Sequence, residues 1–516
     1  MINISFGECF GWLHRPGHGL VADIGVLLCN GLSQDGGNAH RPFRQLANKL
    51  ADAGYPTVRF DYPGTGDSSE LEDREPWTAW QQSIHDAADW MRATTDVRNI
   101  VLVGLRIGAT LAAIVAEQRT DVVGLVLLEP VLRGRSYISQ LSVEARLRHG
   151  TSTAAVAGIE LGELKLGPDS IRSMQAVDLI NVRLPTACRA AIFSKARGPG
   201  LVERVDVWRM NGSDLSCHDF EGLAPLLRPS HQTDEPDGDY SRIVSWLNQA
   251  VQARWRPSFG APLLQAAPLR STDWVEMPLQ FGVDDQTFGM LCRPIGIEAD
   301  CVVVIGNSSG NPHHGFARFS VELARRLAGA GIASLRIDFA GLGDSVIYKD
   351  GIETITRVFE IDRCQDMSDA VDALSRLGYR RFVAYGLCSG AYHALQAALA
   401  DMRFFAALVV NLPWISFRHD RPGLSSVSQR AMNEVSRRGM HLLLLSGEND
   451  TGLKGLEKHF GNGCIELRDL PTISVEIVAG LDHDLTTANM RSLAADRMLG
   501  FLQHALGNND VVIQLD

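Results

Sequence analysis

A cysteine stands between two glycines in 386-GLCSG-390, after the β-like run 381-RFVAYG-386 and before a helix-like run. A nucleophile on a strand-to-helix turn needs small neighbours, because side chains two residues to either side would collide with adjacent strands. Gly386 and Gly390 meet that need around Cys388. The turn also sets the thiol at a helix N-terminus, where the dipole favours thiolate over thiol. A thiolate so placed can attack an acyl carbon, given a base to move its proton and an acid to orient the base. A buried cysteine in a glycine-containing turn is the plainer alternative, and residues further along the chain weigh against it. The apolar run 441-HLLLLS-446 ends in the polar 447-GENDTG-452, and 473-ISVEIV-478 leads into 479-AGLDHDLTTANMRSL-493. The order nucleophile, acid, histidine, each at a strand's carboxyl end, selects Asp450 as the acid and His483 as the base, with Glu448 as the reserve acid. Asp482 and Asp484, on either side of His483, read as surface or capping residues. An oxyanion needs two preorganised donors. The backbone N–H of Ser389 is one, and that of Ser308, in 306-GNSSGNPHHG-315, is the other. His313 and His314 of the same loop could line an acyl pocket or be exposed loop histidines.

The same frame occurs a second time, in 104-GLRIG-108, with Arg106 at the nucleophile position. A guanidinium stays protonated and has no usable lone pair, so Arg106 cannot attack. After 189-RAAIFS-194 comes 195-KARGPG-200, without a carboxylate, and His231 in 228-RPSHQTDEP-236 is left without partners. Arg106 is expected to reach a nearby acid in a structural role, the rival being an anionic ligand.

The two turns belong to an internal repeat. The stretch 46-LANKLADAGYPTVRFDYPGTGDS-68 lies over 323-LARRLAGAGIASLRIDFAGLGDS-345 without a gap, and Asn30 and Asn307 fall at the same offset. The shared 64-GTGDS-68 and 341-GLGDS-345 read as turn and capping architecture, since one copy has no nucleophile to serve. In each copy, short runs rich in Val, Ile and Leu alternate with amphipathic segments, as buried parallel strands joined by crossover helices require. In the second copy these place strands at 302–305, 333–338, 381–386, 406–411, 441–446 and 473–478, and helices at 317–330, 366–377 and 390–401. The stretches 7-GECFGWLHRP-16 and 285-DQTFGMLCRP-294 look like hairpins opening each copy. The expected fold class is α/β, with two tandem domains at 1–255 and 273–516. The linker is placed at 256–272, where three prolines accompany no clear period.

Composition narrows the setting. The chain has 516 residues, 45% hydrophobic and 21% charged, with a formal net charge of −11, which argues against a general nucleic-acid binder. No apolar run approaches the ~20 residues of a membrane span, and the amino-terminal residues do not read as a secretory signal. The nine cysteines are scattered and show no CxxC pair, which fits a reducing, cytoplasmic setting better than a disulfide framework or a zinc site. No cofactor or metal is expected.

Both copies resemble α/β-hydrolase fold proteins, and more narrowly the hydrolases that accompany exosortase and exopolysaccharide gene clusters in bacteria. The first copy's 104-GLRIGATLA-112 and 127-LLEPVLRGRSYISQL-141 carry the likeness to one such group, and the second copy's 386-GLCSGAYHA-394, 446-SGENDTGL-453 and 482-DHDLT-486 to another. The resemblance implies the hydrolase fold and the three positions Cys388, Asp450 and His483, and leaves the substrate open. Cysteine on the turn is also similar to polyhydroxyalkanoate synthases and some thioesterases, at that motif alone. Little sequence between 411-NLPWISF-417 and the strand at 441 remains for a lid, so an open site, or one covered by the other copy, is expected.

Sulfur narrows the reaction. Expelling an alkoxide or amide competes poorly with re-expelling the better leaving thiolate, whereas exchange with a thioester is nearly balanced. The expected activity is acyl-enzyme catalysis through a Cys388 thioester, by a thioesterase or acyltransferase whose partner is an acyl thioester of coenzyme A or acyl-carrier protein. The alternatives are an ester hydrolase with Cys in place of Ser, and a non-catalytic scaffold. The expected outcome that separates the scaffold from the enzymes is a Cys388 alkylated by iodoacetamide far faster near neutral pH than the other eight cysteines. Peptide mapping that finds Cys388 no faster than the rest removes the nucleophile assignment.

Overall fold

Strands buried on both faces need continuous apolar runs, and the chain supplies two sets of them. In the computed structural model they form two sheets, one in each of the compact units Met1–Leu269 and Arg270–Asp516. The structure describes residues 1–17, 19–149, 158–195, 198–232, 235–257, 266–345, 363–413 and 427–507.

The sheet of the first unit contains β1 (Ile2–Phe6), β2 (Cys9–His14), β3 (Ile24–Cys29), β4 (Thr57–Phe60), β5 (Asn99–Leu105), β6 (Val122–Leu128), β7 (Arg189–Ser194) and β8 (Asp214–Asp219). Their order is β1-β2-β4-β3-β5-β6-β7-β8. The first two pairings are antiparallel and the rest parallel. The second unit repeats the plan with β9 (Trp274–Phe281), β10 (Thr287–Pro294), β11 (Cys301–Ile305), β12 (Ala333–Asp338), β13 (Arg381–Leu387), β14 (Phe404–Val410), β15 (His441–Gly447) and β16 (Ile473–Val478). Its order is β9-β10-β12-β11-β13-β14-β15-β16, with one further two-residue edge strand. Crossover helices cover the sheets, so the central strands β3, β5, β11 and β13 are buried almost throughout.

Three sequence expectations shift in detail. The stretches 7–16 and 285–294 hold the second arm of each opening hairpin. Its first arm lies upstream, in β1 and β9. The helix expected at 317–330 begins as a 3-10 turn at Phe316–Arg318. Ala317 and Arg318 there have positive φ, and the α-helix proper is Phe319–Gly329. Of the segment assigned as linker, Arg256 and Pro257 pair with the first unit, because the strand Trp255–Pro257 runs antiparallel to Leu20–Ala22 and Trp255 meets Tyr55 edge-on at 5.5 Å. Residues 258–265 lie outside the described residues.

The GDS motif is a turn. Ser345 Oγ donates to the Asp338 carbonyl at 2.7 Å and accepts the Phe288 N–H at 2.9 Å, tying the end of β12 to β10. Ser68 makes the same pair of bonds to Asp61 and Phe10. A Cβ on Gly343 would stand 2.1 Å from the Asp338 carboxylate, which explains the glycine.

The two strand-to-helix turns are built alike. Arg106 has φ 55° and ψ −119°, and Cys388 has φ 55° and ψ −124°, each just before a helix (Ile107–Glu117 and Ser389–Ala400). A Cβ on Gly390 would lie 2.5 Å from the Asn307 carbonyl oxygen, and one on Gly108 would lie 2.1 Å from that of Asn30. Gly390→Ala is therefore expected to destabilise the second unit by about 1–3 kcal/mol, as overpacking against backbone does. Gly329→Ala, in a helix with open space around it, should be neutral or slightly stabilising. Urea unfolding of the two variants checks the contrast; equal midpoints would show that the turn tolerates a methyl group.

Candidate active site

The turn after β13 presents Cys388 half-buried, with its N–H donating to the Val410 carbonyl at 3.0 Å. Left-handed backbone at a non-glycine residue costs energy, and here it aims the side chain off the end of the sheet. Asp450 follows β15 and caps the helix Thr451–Phe460, accepting the Gly452 N–H at 2.8 Å, and its side chain is almost wholly buried. His483 lies in the loop past β16, and its Nδ1 is 2.6 Å from Asp450 Oδ2. Cys388 also acts on the imidazole, through a side-chain hydrogen bond and its charge. The structure thus brings Cys388, His483 and Asp450 into one chain of contacts.

The electrostatics follow the contacts. The Asp450 hydrogen bond, then the Cys388 hydrogen bond, push the His483 imidazole up to about 10, against the opposing effect of burial. Burial pushes the Asp450 carboxyl up, but the His483 bond and charge and the amides of Gly452 and Leu453 outweigh it and hold it below the ordinary value. An imidazole made more basic is a stronger acceptor for a thiol proton. Elsewhere, burial pushes the thiols of Cys29, Cys188 and Cys301 up to about 12 and that of Cys464 up to about 11, and raises Cys9 and Cys292 as well.

The remaining candidates divide. Glu448 is exposed and Asn449 Nδ2 reaches it at 3.4 Å, while the carboxylate paired with His483 is that of Asp450. Asp482 accepts from the N–H and hydroxyl of Thr486, capping its own loop, and Asp484 is exposed. Beside the turn, the Ser309 N–H donates to Ser389 Oγ at 2.7 Å. Ser308, the expected second oxyanion donor, stands just before it, and its carbonyl accepts the Asn311 N–H at 3.1 Å. His313 is not an exposed loop histidine. It is buried, with its Nδ1 2.7 Å from Asp338 Oδ2 and its N–H on Asp338 Oδ1. His314 is buried too, its ring 4.4 Å from that of His313. Asn307 joins this group, donating to Asp338 at 2.8 Å and accepting the Phe339 N–H at 2.6 Å. The sequence treated Asn307 only as a repeat landmark; its burial and its bonds to β12 are tertiary facts. Residues 414–426, where a lid would stand, lie outside the described residues.

In the first unit, Arg106 Nε is 3.6 Å from Asp35 Oδ2, an ion pair with the first turn of the helix Gln34–Asp52. Burial pushes the Asp35 carboxyl up, and the nearby Arg106 charge only partly offsets this. Past β7 the carboxylate that meets Ser194 and Lys195 comes from Glu129, at the end of β6. Past β8, the place that His483 takes in the other unit holds the short helix Leu223–Leu226, and His231 falls later, in the 3-10 turn Ser230–Gln232. Among the described residues of this unit, nothing equivalent to the Cys388 constellation forms.

A family model described as alpha/beta hydrolase fold matches residues 25–147, within the first unit. This stretch carries the alpha/beta hydrolase fold. A thermostable monoacylglycerol lipase from Bacillus sp. (strain H-257) is 31% identical over 103 residues, which are 20% of this chain and 39% of the lipase. The chain thus spans well under half the length of that relative. Among solved structures, a cold-adapted esterase from an Arctic intertidal metagenomic library covers 45% of this chain over 96% of its own, at 18% identity and TM-score 0.32. An esterase of Pyrococcus furiosus covers 44% over 90% of its own, at 15% identity and TM-score 0.34. No helix among the described residues is long and apolar enough to cross a membrane.

A pH prediction comes from the His483–Asp450 pair. The histidine's folded value is raised from 6.5 to about 10, so its stabilisation is complete below pH 6.5 and lost as pH rises through about 10. The His483 side chain is 38% exposed, so solvent screens the pair and the amplitude should be small. The stability gap between wild type and Asp450→Asn should therefore narrow steadily from pH 6.5 to 10. Urea unfolding of both proteins across that range measures it, and a gap independent of pH would rule out the coupling.

Proposed function

We propose that the second unit is an acyl-enzyme catalyst that works through a Cys388 thioester, as a thioesterase or acyltransferase acting on an acyl thioester such as acyl-coenzyme A or acyl-carrier protein. The observation that carries the reading is the continuous line from buried Asp450 through His483 to a thiol held on a strained turn at a helix N-terminus.

The steps balance without a cofactor. Cys388 gives its proton to His483 and its sulfur bonds to the acyl carbon. The tetrahedral oxyanion is met by two backbone N–H groups at the turn, that of Ser389 and that of Ser308. When the intermediate collapses, the bond from the acyl carbon to the substrate's own sulfur breaks and His483 gives the proton to the departing thiolate. Water or another nucleophile then attacks the Cys388 thioester with His483 again taking a proton, and release of the acyl product restores the thiol. Asp450 keeps the imidazole in the orientation and tautomer the transfer needs. In this reading the first unit contributes the fold without its own acyl chemistry, since Arg106 has no nucleophilic atom.

The esterase and lipase names of similar proteins favour a second reading, an ester hydrolase with Cys in place of Ser. Intact-protein mass spectrometry after incubation with matched acyl thioesters and oxygen esters separates the two. The expected result is one acyl mass added per chain from thioesters, mapped to Cys388, and absent from Cys388→Ala. His483→Ala and Asp450→Asn should each lower the acylation rate, and the double variant should lose little more than the worse single, because the three residues act as a unit. Acylation from esters alone would favour the second reading, and no adduct from either panel would favour the non-catalytic alternative.

A further inference from the structure

Asn411 follows β14, in a left-handed conformation (φ 46°) that Asn tolerates better than most residues, and it is completely buried. Its Nδ2 donates to the backbone carbonyls of both Asp482 and His483, each at 2.9 Å. Its Oδ1 accepts the Gly447 N–H at 3.0 Å, and its own N–H donates to the Leu445 carbonyl at 2.8 Å. The partners settle which end of the amide is which, because the Gly447 N–H can only donate and the two carbonyls can only accept. The Asp450 N–H in turn donates to the Gly447 carbonyl at 3.0 Å. The result is a closed circuit: His483 backbone, Asn411 amide, Gly447, Asp450, and back to the His483 ring.

We propose that Asn411 is a positioning residue that latches the loop carrying Asp450 to the loop carrying His483, so that the two side chains meet. The proposal rests on the Cys388–Asp450–His483 reading above. The first unit supplies an internal comparison. Glu129 stands at the same place, just after β6, with φ 43°. Its carboxylate takes the Ser194 hydroxyl and the Lys195 N–H, so it bonds the loop after β7. An ionised carboxylate only accepts, so it cannot hold the carbonyls of a second loop as Asn411 does. The amide with its two donors occurs in the unit that has a thiol at the turn, and the carboxylate in the unit that has none.

Two variants of the full chain test the latch. Asn411→Gly keeps the left-handed backbone and removes the amide. Asn411→Asp keeps the shape and the acceptor for Gly447, and turns both donors into an acceptor facing carbonyls. The readouts are the titration midpoint of the His483 imidazole by NMR and the rate of Cys388 acylation by an acyl thioester as a function of its concentration. In folded variant protein the midpoint should fall from about 10 toward 6.5. Maximal acylation should slow about 10–100-fold, as small misplacement of reacting groups does, with half-saturation unchanged. A folded variant with the wild-type midpoint and wild-type maximal rate overturns the proposal, and if one variant does not fold, the other decides. A midpoint that moves in the variants while wild-type Cys388 takes no acyl group leaves the latch standing and removes the acyl-enzyme reading instead.

Discussion

The turn between β13 and its helix is so tight that no Cβ fits at two of its positions. Gly386 has room only for hydrogen against the Gly390 carbonyl carbon and oxygen, both 2.0 Å from where its Cβ would stand. Gly390 is pressed against the Asn307 carbonyl at the end of β11. This crowding forces the residue between them into left-handed backbone and turns its side chain outward, at the N-terminus of a buried helix. Whatever stands there is presented to the solvent end of the sheet, beside the carboxyl ends of β11, β14, β15 and β16. The first unit pays the same steric cost around Arg106, which shows that the constraint belongs to the architecture and not to the chemistry.

Around this turn the second unit places groups whose properties depend on one another. Asp450 is buried, and burial alone would favour its neutral form; the His483 ring and the helix amides make the carboxylate the stable species. That carboxylate makes His483 a stronger base, and His483 reaches Cys388. The circuit through Asn411 joins the two loops by hydrogen bonds from one buried side chain to backbone groups of both. In the first unit each element of this arrangement has a counterpart of different chemistry: a guanidinium at the turn, Glu129 in place of Asn411, and a short helix where the histidine loop would be. The ion pair of Arg106 with Asp35 gives the cation a partner in a place where the helix dipole disfavours it.

The buried group formed by Asn307, His313 and Asp338 supports the same end of the sheet. Asp338 is fully buried; burial raises its carboxyl, but the His313 charge and hydrogen bond hold it below the ordinary range. It accepts from the His313 ring, the His313 N–H, Asn307 and the Asp344 N–H, so its lone pairs are occupied by groups from the loop after β11 and the turn after β12. A satisfied network of this kind is rigid, because every alternative leaves a buried charge with fewer partners. It fixes the loop whose Ser309 amide meets Ser389.

Much of this was legible in one dimension because the signals are local. Apolar runs, glycines two residues either side of Cys388, and a polar residue just past a strand report backbone geometry that a few neighbouring residues determine. The repeat adds the first unit by comparison, and chain order with strand-end placement selects Asp450 and His483 from many acids and histidines. Tertiary structure decided what depends on residues distant in sequence. His313 could have lined a pocket, but it is turned onto Asp338 across the gap between two strands. The Ser309 N–H finds the Ser389 hydroxyl, eighty positions later, and so ties the loop after β11 to the turn. Asn411 gave no signal at all, being one more residue at a strand's end. Its role exists only because β14, β15 and β16 lie side by side, so that one short amide reaches two loops at once, and no spacing in the sequence encodes that distance.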